Sequence, residues 1–284
     1  MPILNPQIDP TEKLLASKTA AEVKEAIRMG ADVNYFSNSS EFASEIIIRS
    51  LVSQENAKTP DGVKNLTEVV TTLLDNNAPF MAESAQMLVG NDFTPALTEL
   101  LTRMPGLASA RDQIDDDTCI YMAALNNNVE IVKLGLKCLC DPREESRLGA
   151  SLENLVNKPD NEYRQFSPEL KDAVKSAATT WNFADSIENV PNLPRSEVRG
   201  AINASVSELP LSAVNDIRKE ENMAILENMF GSVVQSMVKQ AMDSKLILSN
   251  ANTQEMQGAI NREAAQTQAI PSQSRRGQQA NEIE

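Results

Sequence analysis

Thr118-Cys119-Ile120-Tyr121-Met122-Ala123-Ala124-Leu125-Asn126-Asn127-Asn128-Val129-Glu130-Ile131-Val132-Lys133-Leu134-Gly135-Leu136-Lys137-Cys138-Leu139-Cys140-Asp141-Pro142 spells two short helices joined by a turn. Its apolar residues recur three and four apart, the spacing of one helix face, and no strand-like alternation competes with it. Three asparagines interrupt the period, so the chain doubles back as an antiparallel hairpin. The spacing predicts an inner helix holding Ile120 to Leu125 and an outer helix over Glu130 to Lys137. Ala123 and Ala124 let neighbouring helices approach closely, while Ile131, Val132, Leu134 and Leu136 are expected to fill the space between them.

The same spacing extends on both sides of this hairpin. Leu14 and Leu15, then Val23, Ala26 and Ile27, mark two short helical faces. Thr19 with Glu22 three residues later makes a capping box, and Gly30 ends the second helix. Ile46, Ile47, Ile48 and Leu51 form the next face, then a polar insertion from Ser53 to Asn65 precedes Leu66, Val69, Val70, Leu73 and Leu74. Ala96, Leu97, Leu100 and Leu101 follow Thr94-Pro95, and proline is well tolerated in a first helical turn. Hairpins in series suggest a stacked array of repeats.

Residues 118–142 resemble an ankyrin repeat, whose pattern runs T-P-L-H-x-A-A, a polar turn, E-I-V-K-L-L-L and G-A-D-P. Thr118, the alanine pair, the asparagine turn, Glu130 to Leu134 and Asp141-Pro142 carry the match. Glu22 to Asn34, with Gly30-Ala31-Asp32-Val33-Asn34, resembles the second helix and turn of the same family, as does Val69 to Phe80. Leu97 to Asp112 is a poorer match, and its Ala110-Arg111-Asp112 looks like the opening of an ankyrin finger loop. Ala31, Ala78, Gly106 and Cys140, taken as equivalent, are 47, 28 and 34 residues apart, scattered about the family period of ~33. The pattern is degenerate: Cys119 and Tyr121 replace its Pro and His, Gly135 a core Leu, and Leu139-Cys140 its Gly-Ala. The resemblance covers residues 11–142.

Beyond Pro142, Leu148, Leu152, Leu155 and Val156, then Leu170, Val174, Ala177, Ala178 and Trp181, read as a further helix pair, with Ser167-Pro168-Glu169 as a helix start. Pro191 and Pro194 mark a break. Met223, Leu226, Phe230, Val233 and Met237 then step by three and four, a heptad-like stripe that Val234, Val238 and Met242 widen. From residue 250 onward, glutamines and the lack of aromatics indicate disorder. The expected fold is all-α: an ankyrin-like array of helical hairpins, a helical C-terminal region and a disordered tail. The expected divisions are 1–10 (an N-terminal extension), 11–142 (repeats), 143–249 (helical region) and 250–284 (tail).

The composition narrows the chemistry. Twenty-six Lys and Arg stand against 40 Asp and Glu, a formal charge of −14, and histidine is absent. His-dependent triads and His zinc sites are therefore excluded. Phosphate binding needs clustered cations, so no nucleic-acid partner is expected, and the same acidity would be repelled by an anionic membrane surface. No stretch approaches the roughly 18 apolar residues of a span. The N-terminus has no signal-peptide pattern, and Cys119, Cys138 and Cys140 fit a reducing compartment, so a cytoplasmic location is expected. The Asp115-Asp116-Asp117 run lacks the spacing of a Ca²⁺ loop, Cys138 and Cys140 are too close for a zinc pair, and no phosphate-binding glycine motif occurs. No catalytic residue, metal ligand or cofactor is expected.

The resemblance implies a non-enzymatic scaffold that binds a protein partner through finger loops and the concave face of its first helices, and acidity favours a basic partner. Tyr35, Phe36 and Asn38 lie where the family places a finger tip, and Asp112, Asp115 and Asp116 where it places a later finger. An alternative partner surface is the stripe of Met223, Phe230 and Met237, which otherwise caps the last repeat. The repeats with a helical region and polar tail look like the ankyrin-bearing effectors that intracellular bacteria inject, which implies translocation into a host cell. A different class of reading is an enzyme with a His-free catalytic unit in 143–249, which would require a concave pocket with convergent polar groups there.

Overall fold

The computed structural model describes residues 9–112, 116–146, 149–158 and 165–268. Among these the chain is all helical, with thirteen α-helices and no strand beyond two isolated bridges. The first ten helices run as α1 (Pro10–Leu15), α2 (Ala20–Arg28), α3 (Ala43–Val52), α4 (Pro60–Asp75), α5 (Ala82–Gly90), α6 (Thr94–Arg103), α7 (Cys119–Leu125), α8 (Val129–Lys137), α9 (Leu152–Asn157) and α10 (Pro168–Ser186). Then come α11 (Arg195–Glu208), α12 (Leu211–Ile217) and α13 (Glu220–Gln268). Asp9 is N-cap to α1, and residues 1–8 of the expected N-terminal extension lie outside the described residues.

The first ten helices stack in two rows. α1, α3, α5, α7 and α9 each touch the next, as do α2, α4, α6, α8 and α10. Short polar caps set the pairs. The Thr19 hydroxyl accepts from the Glu22 N–H at 3.2 Å while the Glu22 carboxylate accepts from the Thr19 N–H at 3.1 Å, the expected capping box. Thr118 accepts from Tyr121 N and Asn128 from Ile131 N, so both helices of the hairpin in residues 118–142 begin on a capping side chain. Gly30, at φ 96°, closes α2 in a conformation that suits glycine.

One core runs from Leu14 through Ala177 and takes in Ile225 of α13. Packing therefore changes within α10 and not at residue 142: α9 and α10 continue the stack as a fifth pair. A second core joins Phe183 and Ala184 of α10 to α11, α12 and the middle of α13. Arg143 fastens the fifth pair to the loop before it, donating to Asp141 at 2.7 Å and to Asp185 at 2.6 Å while lying 5.7 Å from the Trp181 ring centroid.

Four expectations need correction. Leu134 is only half-buried, whereas Ile131, Val132 and Leu136 are buried; the position facing α7 belongs to Gly135, against which Ile120 packs. The polar insertion is half helix: Thr59 caps Gly62 N at 3.2 Å, Pro60 occupies the first turn, and α4 begins six residues before Leu66. Asn65, at its end, accepts from Ala20 N and donates to Lys18 O, tying α4 to the start of α2. The heptad-like stripe is broken at Gly231, where φ 83° and ψ 162° bend α13. Finally, α13 continues through residue 250 to Gln268, where disorder was expected; residues 269–284 lie outside the described residues.

Burial makes the cysteines poor nucleophiles. Cys119 and Cys140 are buried, and loss of hydration pushes both thiols up to about 12; half-buried Cys138 is raised for the same reason. A raised thiol pKa favours the protonated folded state. This stabilisation is complete below the ordinary thiol value near 8.5 and is lost as pH climbs toward about 12. Native protein at pH 7.5 is therefore expected to leave Cys119 and Cys140 unmodified by iodoacetamide, both becoming reactive in urea, and its urea midpoint is expected to fall between pH 8 and pH 10. Rapid native alkylation of all three would contradict the burial.

Candidate partner-binding surface

Two loops between helix pairs are closed by a bridge, Phe36 to Phe42 and Arg111 to Thr118. In the first, Asp32 turns the chain by accepting from Asn34 N at 2.9 Å, Ser37 N donates to Glu41 O at 2.8 Å, and Ala43 N donates to Tyr35 O at 3.0 Å. The ladder sends the two adjacent aromatics to opposite sides. Tyr35 packs on the core, while Phe36 stays 52% exposed, its ring 4.8 Å from that of Phe42. Asn38 is exposed at the tip beside Ser40, which adopts φ 64°.

Three carboxylates interact at the base of this loop. Glu41 pairs with Arg49, and Glu45 accepts from Phe42 N at 2.8 Å as the cap of α3. Glu45 is nearly buried, and burial raises its pKa above the ordinary carboxylate range. The Phe42 N–H opposes that shift, and the Glu83 and Glu41 carboxylates add to it. Carboxylates from α3, α5 and the loop between α2 and α3 thus gather here, and Arg49, paired with Glu41, already offsets part of their charge. The cluster was missed in the sequence, where Glu45 and Glu83 are 38 positions apart and only the stacking of α3 on α5 joins them.

Among the described residues of the later loop, Asp112 and Asp116 are engaged within the loop, the Asp116 carboxylate lying 3.8 Å from Arg111. Asp112 is buried and accepts from Asp116 N at 3.0 Å. Arg111 donates to Asp116 O at 2.8 Å and reaches Glu144 at 3.4 Å, and Gln86 of α5 donates to Asp117 O at 2.7 Å. Asp115 lies outside the described residues. In the alternative stripe, Met223 is buried, and Phe230 and Met237 pack against the second core. These three side chains hold α13 to the body.

Three of the clefts touch residues 143–249, one of them a cavity of about 20 Å³ where Glu144, Ala150 and Leu152 meet Arg111 and Tyr121. A second, of about 90 Å³, lies between α8, α10 and α13, lined by Lys133, Asp172, Ser176, Lys219 and Asn222 among others. Both its lysines are paired, Lys133 on Glu169 at 2.7 Å and Lys219 on Asp172 at 2.8 Å, and it is well below the ~300–1,000 Å³ of small-molecule sites. The third, about 510 Å³, opens beside the bend of α13; Arg218, Glu220, Glu227 and Lys239 line it, with no hydroxyl or thiol among its lining residues. Among the described residues no three Cys, Asp or Glu side chains gather as a metal site, and no helix is long and apolar enough to cross a membrane. The sequence matches no protein-family model, and no curated protein matches it.

Proposed function

We propose that this chain is a non-enzymatic protein-binding scaffold, an ankyrin-like stack that presents its first loop and first-row helices to a basic segment of a partner protein. The observation that carries the reading is Phe36, an aromatic ring left more than half exposed on the loop that carries Glu41. Aromatic anchors next to complementary charge dominate many protein interfaces. The two-row stacking of five helix pairs supports the ankyrin-like assignment, since each pair touches the next as repeats do. The scaffold reading is preferred to an enzyme in 143–249 on the exposed ring of Phe36, while the cleft of about 510 Å³ lined by Glu220, Glu227 and Lys239 is the observation that favours the second reading. Action inside a host cell is an extension of this proposal that rests on sequence style.

Affinity capture with the full chain, followed by calorimetry on the captured partner, tests it. Phe36→Ala is expected to unfold like the parent and to weaken binding by at least ~2 kcal/mol, the hot-spot threshold. Tyr35→Ala is a poorer probe because Tyr35 also packs on the core. Added salt is expected to weaken the complex. Unchanged affinity in the folded Phe36→Ala variant would move the site off this loop.

A further inference from the structure

The small cleft where α8, α10 and α13 meet has a floor that the protein does not itself satisfy. Asn222 is only 3% exposed, yet it lines the cleft. Its Nδ2 donates to Asp216 O at 2.8 Å and to the hydroxyl of buried Ser176, which fixes the way the amide faces. Its Oδ1 accepts no hydrogen bond from any described residue and keeps access to the cleft. A buried amide oxygen left in this state costs free energy until a donor reaches it.

The walls indicate which donor. Lys133 pairs with Glu169 and Lys219 with Asp172, each through one carboxylate oxygen, so the other oxygen of each acid can still accept. Glu221 makes no ion pair among the described residues and acts on Lys133 only through space. Two lysines against three carboxylates leave the lining one negative charge in excess. An anion would be repelled by that excess and by the Asn222 oxygen, whereas a cation bearing N–H groups satisfies both. A bare metal ion is poorly served, because among the described residues no three carboxylates gather as its ligands. Leu136 and Ala173 add an apolar wall that suits a hydrocarbon stem. The cleft of about 90 Å³ has room for roughly three waters at ~30 Å³ each, the size of the last few atoms of an alkylamine.

We propose that this cleft is a binding site for a primary alkylammonium group, its nitrogen directed at Asn222 Oδ1 and Glu221 and its carbon stem laid along Leu136 and Ala173. Two sources present that group: the end of a lysine side chain on a partner protein, and a free small amine. The site uses none of the residues around Phe36 and does not depend on that loop.

Titration of the full chain with n-butylammonium chloride at neutral pH, followed by amide NMR, tests the proposal. So small a ligand is expected to bind in the millimolar range, which a series from about 1 to about 100 mM covers. The side-chain amide of Asn222 and the backbone amides of Ala173 and Ser176 are expected to shift saturably. Tetramethylammonium chloride, equal in charge but without N–H donors, is expected to leave them in place. Glu221→Gln should keep the urea midpoint of the parent and weaken butylammonium binding about threefold. Glu227→Gln, exposed on the same helix but outside this cleft, should change nothing. N-acetyl-lysine methylamide separates the sources: a matching response shows that a lysine side chain carried on a backbone can enter, and a response to butylammonium alone assigns the cleft to free amines. The absence of a saturable shift with butylammonium would overturn the proposal, as would an equal response to tetramethylammonium or an unchanged affinity in the folded Glu221→Gln variant. Phe36→Ala is expected to bind butylammonium like the parent, so this proposal and the partner-binding reading fail separately.

Discussion

Phe93→Ala is expected to lower the stability of the chain by about 3–5 kcal/mol, the range for deleting a buried aromatic side chain. Phe93 is among the largest fully buried side chains and belongs to the first core. Its backbone does double duty: its N–H donates to Leu88 O at 2.9 Å as α5 ends, and its carbonyl accepts from Leu97 N at 3.0 Å as α6 begins. Asp92 before it holds φ 62°, which turns the chain so that the ring points into the stack. Alanine would keep these backbone bonds and leave a cavity beneath the turn, so the loss should be one of packing alone. Urea unfolding followed by circular dichroism should show a lower midpoint with an unchanged slope. A loss under about 1 kcal/mol would mean that neighbouring helices close the gap, and the stack would then be far more pliable than packed cores usually are.

Gly135→Leu restores the residue type of the family pattern and is nevertheless expected to cost about 3 kcal/mol or more, the upper end for overpacking. A Cβ on Gly135 would overlap the Cδ1 and Cγ1 atoms of Ile120 and stand 3.2 Å from its Cγ2. Ile120 is fully buried on α7. Leucine is a better helix former than glycine by up to about 1 kcal/mol, too little to offset that overlap. The partner change makes the point sharper. Ile120→Ala alone should destabilise by about 2–5 kcal/mol, yet combined with Gly135→Leu it should recover part of the loss, because the large residue simply changes sides. A coupling energy near zero in this double-mutant cycle would show that the two residues do not share the space.

This pair shows how far a sequence pattern reaches. Gly135 was legible as a departure from the family pattern, but nothing local says that the volume missing there is supplied by Ile120 from the facing helix. The hairpin itself was legible, because Thr118, Asn128 and the apolar spacing act within a few residues of one another. So were the capping box at Thr19 and Glu22 and the close of α2 at Gly30. The stripe in α13 was misread at one residue: Gly231 rotates everything after it, so Val233 faces water while Val234, Val238 and Met242 become buried. Asp112 and Asp116 looked like surface charge and prove to be loop fasteners, since hydrogen bonds across a loop leave no periodic trace.

The all-helical class, the hairpin in residues 118–142 and the capping box at Thr19 and Glu22 were determined by the sequence alone, because turn residues, caps and apolar spacing exert their effects within one or two helical turns. Tertiary structure decided that α9 and α10 extend the stack, that Tyr35 turns inward while Phe36 stays out, and that Glu83 lies close enough to Glu45 to favour its protonated form. The physical reason is range: burial and charge depend on residues dozens of positions away, brought together only when one helix pair stacks on the next.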